Sequence, residues 1–151
     1  MRRLRPQLYL GASVHPPDVS RLQRAGITAV LSLQQPDVDL PRAAIERMRA
    51  ACEPHIQFRN VGIHDYDPGA VIDALPAVLP SLHQLIAGGR TVYLHCTEGI
   101  NRAPSVGLAY LVRYENRDVD GALAELRRCD PGARPYAELI DWLRNGSHRR
   151  A

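Results

Sequence analysis

The stretch HCTEGINRAP, from His95 to Pro104, constrains this chain more than any other. An apolar run, Thr91-Val92-Tyr93-Leu94, leads into it, and a helix-patterned run from Ala103 to Tyr114 leaves it. The pattern predicts a buried strand, a tight loop and a helix. A loop at a helix N-terminus can turn its backbone N–H groups inward and form a nest for an anion. Gly99 gives that loop one position without a Cβ, where the backbone can take positive φ or approach a ligand closely. Arg102 adds a planar fork that holds two phosphate oxygens at once, which lysine cannot reproduce. A thiol at the start of such a loop is favoured as the thiolate, its nucleophilic form. The arrangement suits attack by Cys96 on a phosphate ester held by Arg102 and the amides of Thr97, Glu98, Gly99, Ile100 and Asn101. His95 is expected to orient the loop by hydrogen bonding rather than to act as a base.

Neither key residue would carry this alone. A single cysteine after a strand is usually a small buried hydrophobe, and a single arginine at a helix start is usually a solvated charge. Their spacing, HC-x5-R, between a strand pattern and a helix pattern gives the motif its content. Expelling an alkoxide or phenoxide from phosphorus also needs a proton donor near the leaving oxygen. Asp65 and Asp67, in the turn-rich loop from Gly62 to Gly69, are both candidates. Asp67-Pro68-Gly69 is also an ordinary turn sequence, so Asp67 has a structural alternative.

The rest of the chain reads as strands alternating with helices. Strands are expected near residues 7–10, 27–33, 56–61 and 91–94, and helices at 16–25, 41–52, 103–114, 119–129 and 136–144. Residues 70–87 are helical in composition but contain Pro76 and Pro80, which predicts a break near Leu75. This alternation predicts a single α/β domain over 1–151 with a central, mostly parallel sheet flanked by helices. The loop from Cys96 would lie at the carboxyl end of a central strand, where such sheets bind ligands. The polar tail, 146–151, is expected to fray.

Composition excludes more than it selects. No run is judged to approach the ~18–20 apolar residues of a membrane span, and no signal peptide is read in the basic N-terminus; a cytoplasmic monomer is expected. A net charge of +3 favours anionic substrates in general. No dense basic stripe with interleaved aromatics appears, so nucleic acid is not an expected partner. Three cysteines make no disulfide framework. Cys52 and His55 have the spacing of half a metal site with no second pair, so no metal or other cofactor is expected. Cys52 or Cys129 could serve as a resolving thiol for oxidised Cys96.

HCTEGINRAPSV resembles the signature of the cysteine-dependent protein tyrosine phosphatase superfamily, in its compact dual-specificity branch. The resemblance implies Cys96 as nucleophile, Arg102 as phosphate ligand and transition-state stabiliser, and Asp65 in preference to Asp67 as general acid. One departure stands out: most members carry Ser or Thr after the arginine, where the hydroxyl helps the thiolate leave, whereas this chain has Ala103. The Arg-Ala-Pro ending resembles the plant starch-phosphate (glucan) phosphatases, as do the Leu-Tyr-Leu-Gly start and the Leu-Gln-Gln after the second strand. In those enzymes an aromatic at the place of Tyr66 stacks on sugar rings, which makes Tyr66, with Asp67, a candidate substrate contact. The implied substrates are phosphorylated protein or phosphorylated glucan. A phosphate-binding adaptor without turnover is the alternative.

Overall fold

A computed structural model describes residues 1–146 of the chain. Four of the runs expected as strands become parallel neighbours in one sheet. They are β2 (Leu8–Gly11), β3 (Ala29–Ser32), β4 (Gln57–Asn60) and β5 (Val92–His95). With an antiparallel edge strand β1 (Arg2–Arg5), the spatial order is β1-β2-β5-β3-β4, so β5 lies at the centre with a parallel partner on each side. The segment that follows β5 therefore emerges at the carboxyl end of the sheet, where the strand order switches.

Side-chain alternation along the strands divides the core in two. Ala29 and Leu31 of β3, with Val92 and Leu94 of β5, face one cluster, while Val30 and Tyr93 face the other. The first and larger cluster is roofed by α3 (Pro68–Ala87), α4 (Arg102–Tyr114), α5 (Val119–Cys129) and α6 (Ala137–Arg144). The second lies under α1 (Val19–Arg24), which continues a 3₁₀ turn at Pro16–Asp18, and under α2 (Arg42–Cys52). Every described residue of β3 and β5 is buried, as expected of a parallel sheet covered on both faces.

Two expectations need correction. Pro76 and Pro80 do not break α3, which runs continuously for 20 residues. The prolines are exposed and four residues apart, so they share a face turned to water. Each removes one backbone donor, and the carbonyls left without it can be hydrated there. The opposite face buries Val71, Leu75, Val78, Leu79, Leu82 and Leu85, which holds the helix together across both prolines. Continuity also makes α3 long and apolar enough, by length and composition, to cross a membrane, contrary to the reading of the sequence. Here its apolar stripe is committed to the core against α4 and the sheet.

The second correction is a fifth strand, β1 (Arg2–Arg5), antiparallel to β2 at the sheet edge. Its sequence, RRLR, reads as a basic N-terminus, with only Leu4 buried. Arg5 holds it in place through bonds of 2.6 Å to Glu115 and 2.9 Å to Glu125, and Arg117 reaches Glu125 at 2.8 Å. The hydrogen bond from Arg5 is the main cause that draws the Glu125 pKa down to about 2. Because the folded value lies below that of the unfolded chain, this contribution is present above about pH 4.3 and is lost as pH falls toward 2. Glu125→Gln should cost on the order of 1 kcal/mol at neutral pH, allowing for the partial exposure of the group. The gap between variant and wild type should close as pH falls toward 2, measured by urea unfolding at a series of pH values. A gap independent of pH would contradict the assignment.

Candidate active site

The loop from Cys96 to Asn101 joins β5 to α4 and is tied down on several sides. The Thr97 carbonyl accepts from the Ser13 N–H at 2.9 Å, and the Ile100 carbonyl from the Arg134 N–H at 2.7 Å. Asn101 donates through Nδ2 to the Arg134 carbonyl at 2.8 Å. Gly99 has φ +75°, and a Cβ there would lie 2.7 Å from the Gly11 carbonyl carbon. No other residue type fits both the conformation and the space. Cys96 is 2% exposed. His95 is fully buried beneath the loop, with Nδ1 3.0 Å from the Cys96 carbonyl and its ring stacked on Tyr93 at 5.5 Å. Burial pushes the His95 pKa down to about 4, so the ring is neutral at physiological pH. A neutral imidazole with Nδ1–H donating to that carbonyl orients the peptide after Cys96.

Arg102 opens α4 and points inward, with 1% of its surface exposed. Its Nη1 donates to Asp39 Oδ2 at 2.7 Å and to the Ile63 carbonyl at 2.8 Å, and its Nη2 donates to Asp39 Oδ1 at 3.1 Å. Asp39 thus grips the guanidinium end-on, in the bidentate geometry that suits a planar fork. Nε on the side edge is buried and has no hydrogen-bond partner among the described residues. Burial opposes the charge of Arg102. The hydrogen bonds and charge of Asp39, with the nearby charges of Asp65 and Cys96, outweigh burial and raise its pKa further. Asp39 is held below the usual carboxylate range in spite of burial by its bonds from Arg102 and from the Gln35 N–H. Thr97 joins this group: its hydroxyl accepts from Arg102 Nη2 at 3.3 Å and from Gln34 Nε2 at 3.2 Å.

The loop between β4 and α3 brings a second carboxylate to the same arginine. Asp65 Oδ2 is 3.4 Å from Arg102 Nη2, while its Oδ1 accepts from the Tyr136 hydroxyl at 2.9 Å. Tyr66 stands beside it with 75% of its surface exposed and φ +57°. That left-handed conformation costs a non-glycine residue about 1–3 kcal/mol. Its N–H is held by Asp65 Oδ1 at 2.9 Å and by the Tyr136 oxygen at 2.8 Å. Asp67 is turned to another task. Its carboxylate accepts from the Ala70 N–H at 3.0 Å as the N-cap of α3. Asp65 and Asp67 are therefore separated by environment: one lies on the arginine, the other on a helix end.

The fold has known counterparts. A family model described as the dual specificity phosphatase catalytic domain matches residues 8–148. The chain belongs to the dual-specificity phosphatase family. It is a phosphatase domain of the protein-tyrosine/dual-specificity type. It is 33% identical over 137 residues to a phosphoglucan phosphatase DSP4 (amyloplastic) of Castanea sativa, an alignment covering 85% of this chain and 36% of that protein. It is 27% identical over 139 residues to dual specificity protein phosphatase 12 of Mus musculus, covering 92% and 38%. The chain thus spans roughly a third of the length of the curated relatives it matches. Among solved structures it resembles Tk-PTP in its active form, with TM-score 0.81 and 21% identity over 99% of this chain and 97% of that one. It also resembles the human tyrosine phosphatase-like serine/threonine/tyrosine-interacting protein, at TM-score 0.79 and 20% identity over 97% and 95%.

Within this phosphatase domain, Ala103 is fully buried at the position after the arginine. The next hydroxyl along, Ser105 Oγ, is occupied as acceptor for the Tyr136 N–H at 3.0 Å. Asp39, Tyr136 and Ser105 were not singled out by the sequence. Asp39 lies between an expected strand and an expected helix, and Tyr136 at the start of an expected helix; both reach the site only by tertiary contact. If Asp39 carries the compensation of the buried Arg102 charge, Asp39→Asn should cost on the order of 3 kcal/mol in urea unfolding. A cost below about 1 kcal/mol would mean that Arg102 is stabilised by other groups.

Proposed function

We propose that this domain hydrolyses phosphate monoesters without a metal, through a cysteinyl-phosphate formed on Cys96. The observation that carries the reading is the buried Arg102, whose Nε has no partner while Asp39 and Ile63 saturate its far end. That free edge is the place for a phosphate oxygen, with the amides of Thr97 to Asn101 supplying further donors. In the first step the Cys96 thiolate attacks phosphorus, an S–P bond forms, and the P–O bond to the leaving group breaks. Asp65 delivers its proton to the departing oxygen. In the second step Asp65, now a carboxylate, takes a proton from water as the water oxygen bonds to phosphorus. The S–P bond then breaks, returning the thiolate and releasing inorganic phosphate.

Phosphorylated protein and phosphorylated carbohydrate are the substrate classes this reading admits. The likeness to a phosphoglucan phosphatase and the exposure of Tyr66 beside Asp65 favour the carbohydrate. Glu98 places a negative charge on the loop, which disfavours the most highly charged phosphoesters.

A second reading, a phosphate-binding adaptor with little turnover, draws on one observation. Ala103, the residue directly after Arg102, offers no hydroxyl to the departing thiolate. The two readings divide on turnover. With aryl phosphates in the presence of chelator, Cys96→Ser should abolish phosphate release while Asp65→Asn should slow it by about 10²-fold or more for poor leaving groups. For good leaving groups the Asp65→Asn loss should be much smaller in kcat/KM, which reports formation of the intermediate, while kcat falls with its slowed hydrolysis. Phosphate or phosphoglucan binding by the wild type with no release would favour the adaptor. Continued release by Cys96→Ser would end the cysteinyl-phosphate mechanism.

A further inference from the structure

We propose that Tyr136 is the positioning residue of the acid, fixing Asp65 through Oδ1 so that Oδ2 is the oxygen that gives and later takes the proton. This rests on the reading of Asp65 as general acid and goes beyond it, because it assigns a second residue to that function and one carboxylate oxygen to the chemistry.

The contacts form a closed ring. Arg102 opens α4, and Ser105, one turn along the same helix, accepts the Tyr136 N–H at 3.0 Å. This fixes Tyr136 at the N-cap of α6, with Pro135 buried just before it. The Tyr136 hydroxyl reaches across to Asp65 Oδ1 at 2.9 Å and receives the Tyr66 N–H at 2.8 Å. Asp65 closes the ring by bringing Oδ2 to 3.4 Å from Arg102 Nη2. The helix that carries the phosphate-binding arginine thus also sets, through two intermediaries, where the acid stands. A carboxyl group on a separate loop would otherwise have freedom to rotate, and positioning to within a fraction of an ångström is what proton transfer in a transition state requires.

The assignment of the oxygens follows from what each one faces. Oδ1 is filled by two donors, the Tyr136 hydroxyl and the Tyr66 N–H. Oδ2 faces the Arg102 guanidinium, the side on which a bound phosphate would stand. A proton on Oδ2 is therefore directed at the leaving oxygen, and after its departure the same atom is free to accept a proton from water. Tyr136 does not exchange protons in this scheme. Burial foremost, and then its bond to Asp65, push its pKa up to about 12, and the hydroxyl remains a donor throughout the cycle.

A structural tyrosine would be expected to affect all substrates alike, and a positioning residue would not. Tyr136→Phe retains the ring and removes only the hydroxyl. On alkyl or unactivated aryl phosphates it should lower kcat by about tenfold with little change in KM, while kcat/KM for strongly activated aryl phosphates, which reports formation of the intermediate, should be nearly unaffected. In an Asp65→Asn background the same change should add less than about twofold, because the group it positions is no longer an acid. Competitive inhibition by orthovanadate should match the wild type, since the phosphate loop is untouched. Equal losses on good and poor leaving groups, full additivity with Asp65→Asn, weakened vanadate binding or unaltered kcat on poor leaving groups would each overturn the proposal. The parent reading fails separately, by the absence of a leaving-group effect in Asp65→Asn itself.

Discussion

Arg102 carries a permanent positive charge where water has almost no access, and the site is arranged around that charge. Desolvating a guanidinium costs several kcal/mol unless good geometry returns it. Asp39 returns it through two bonds at the end of the fork, and the Ile63 carbonyl adds a third. Because these partners occupy one end, the side edge with Nε remains unfilled. A buried donor without a partner is costly in a folded protein, and an oxyanion placed there would relieve it. On the proposed mechanism the arginine is preorganised by one anion to receive another, which is how electrostatic stabilisation avoids reorganisation at the moment of reaction.

The fold supplies the partners from separate elements. β5 at the centre of the sheet delivers Cys96 to its carboxyl end, and α4 starts with Arg102 immediately after the loop. Asp39 comes from the connection after β3, Asp65 from that after β4, and Tyr136 from the segment before α6. Asp39 and Asp65 enter at the same edge of the sheet as Cys96 because parallel strands all end there, and the connection between α5 and α6 brings Tyr136 to that edge. The structure therefore assembles around one side chain three loops that are remote from one another in the chain.

That distribution explains what the sequence could reveal. The HC-x5-R loop is local, and strand, glycine, arginine and helix follow one another within twenty residues or so; its place between a strand and a helix was legible. The α/β architecture was legible because fully buried strands and amphipathic helices leave different patterns. The edge strand β1 was not, since one face is solvated and an arginine-rich segment carries little hydrophobic signal. The continuity of α3 was hidden because proline was weighed for the bonds it removes and not for the side on which it removes them. Asp39 and Tyr136 left no local trace. A polar residue in a turn is common, and only tertiary pairing across the chain distinguishes these two from any other. For the same reason Asp65 and Asp67, two residues apart and chemically identical, could be separated by environment only once Arg102 and the start of α3 were placed.

The central claim is that Cys96 becomes covalently phosphorylated beside Arg102. Rapid acid quench of the Asp65→Asn enzyme during turnover of an activated aryl phosphate, followed by peptide mass spectrometry, tests it directly. In that variant the intermediate forms readily and breaks down slowly, because the base that activates water is missing. One phosphoryl group is expected on the peptide that contains Cys96, at a level approaching the amount of enzyme. Turnover with that peptide unmodified, or with phosphate on another residue, would contradict it.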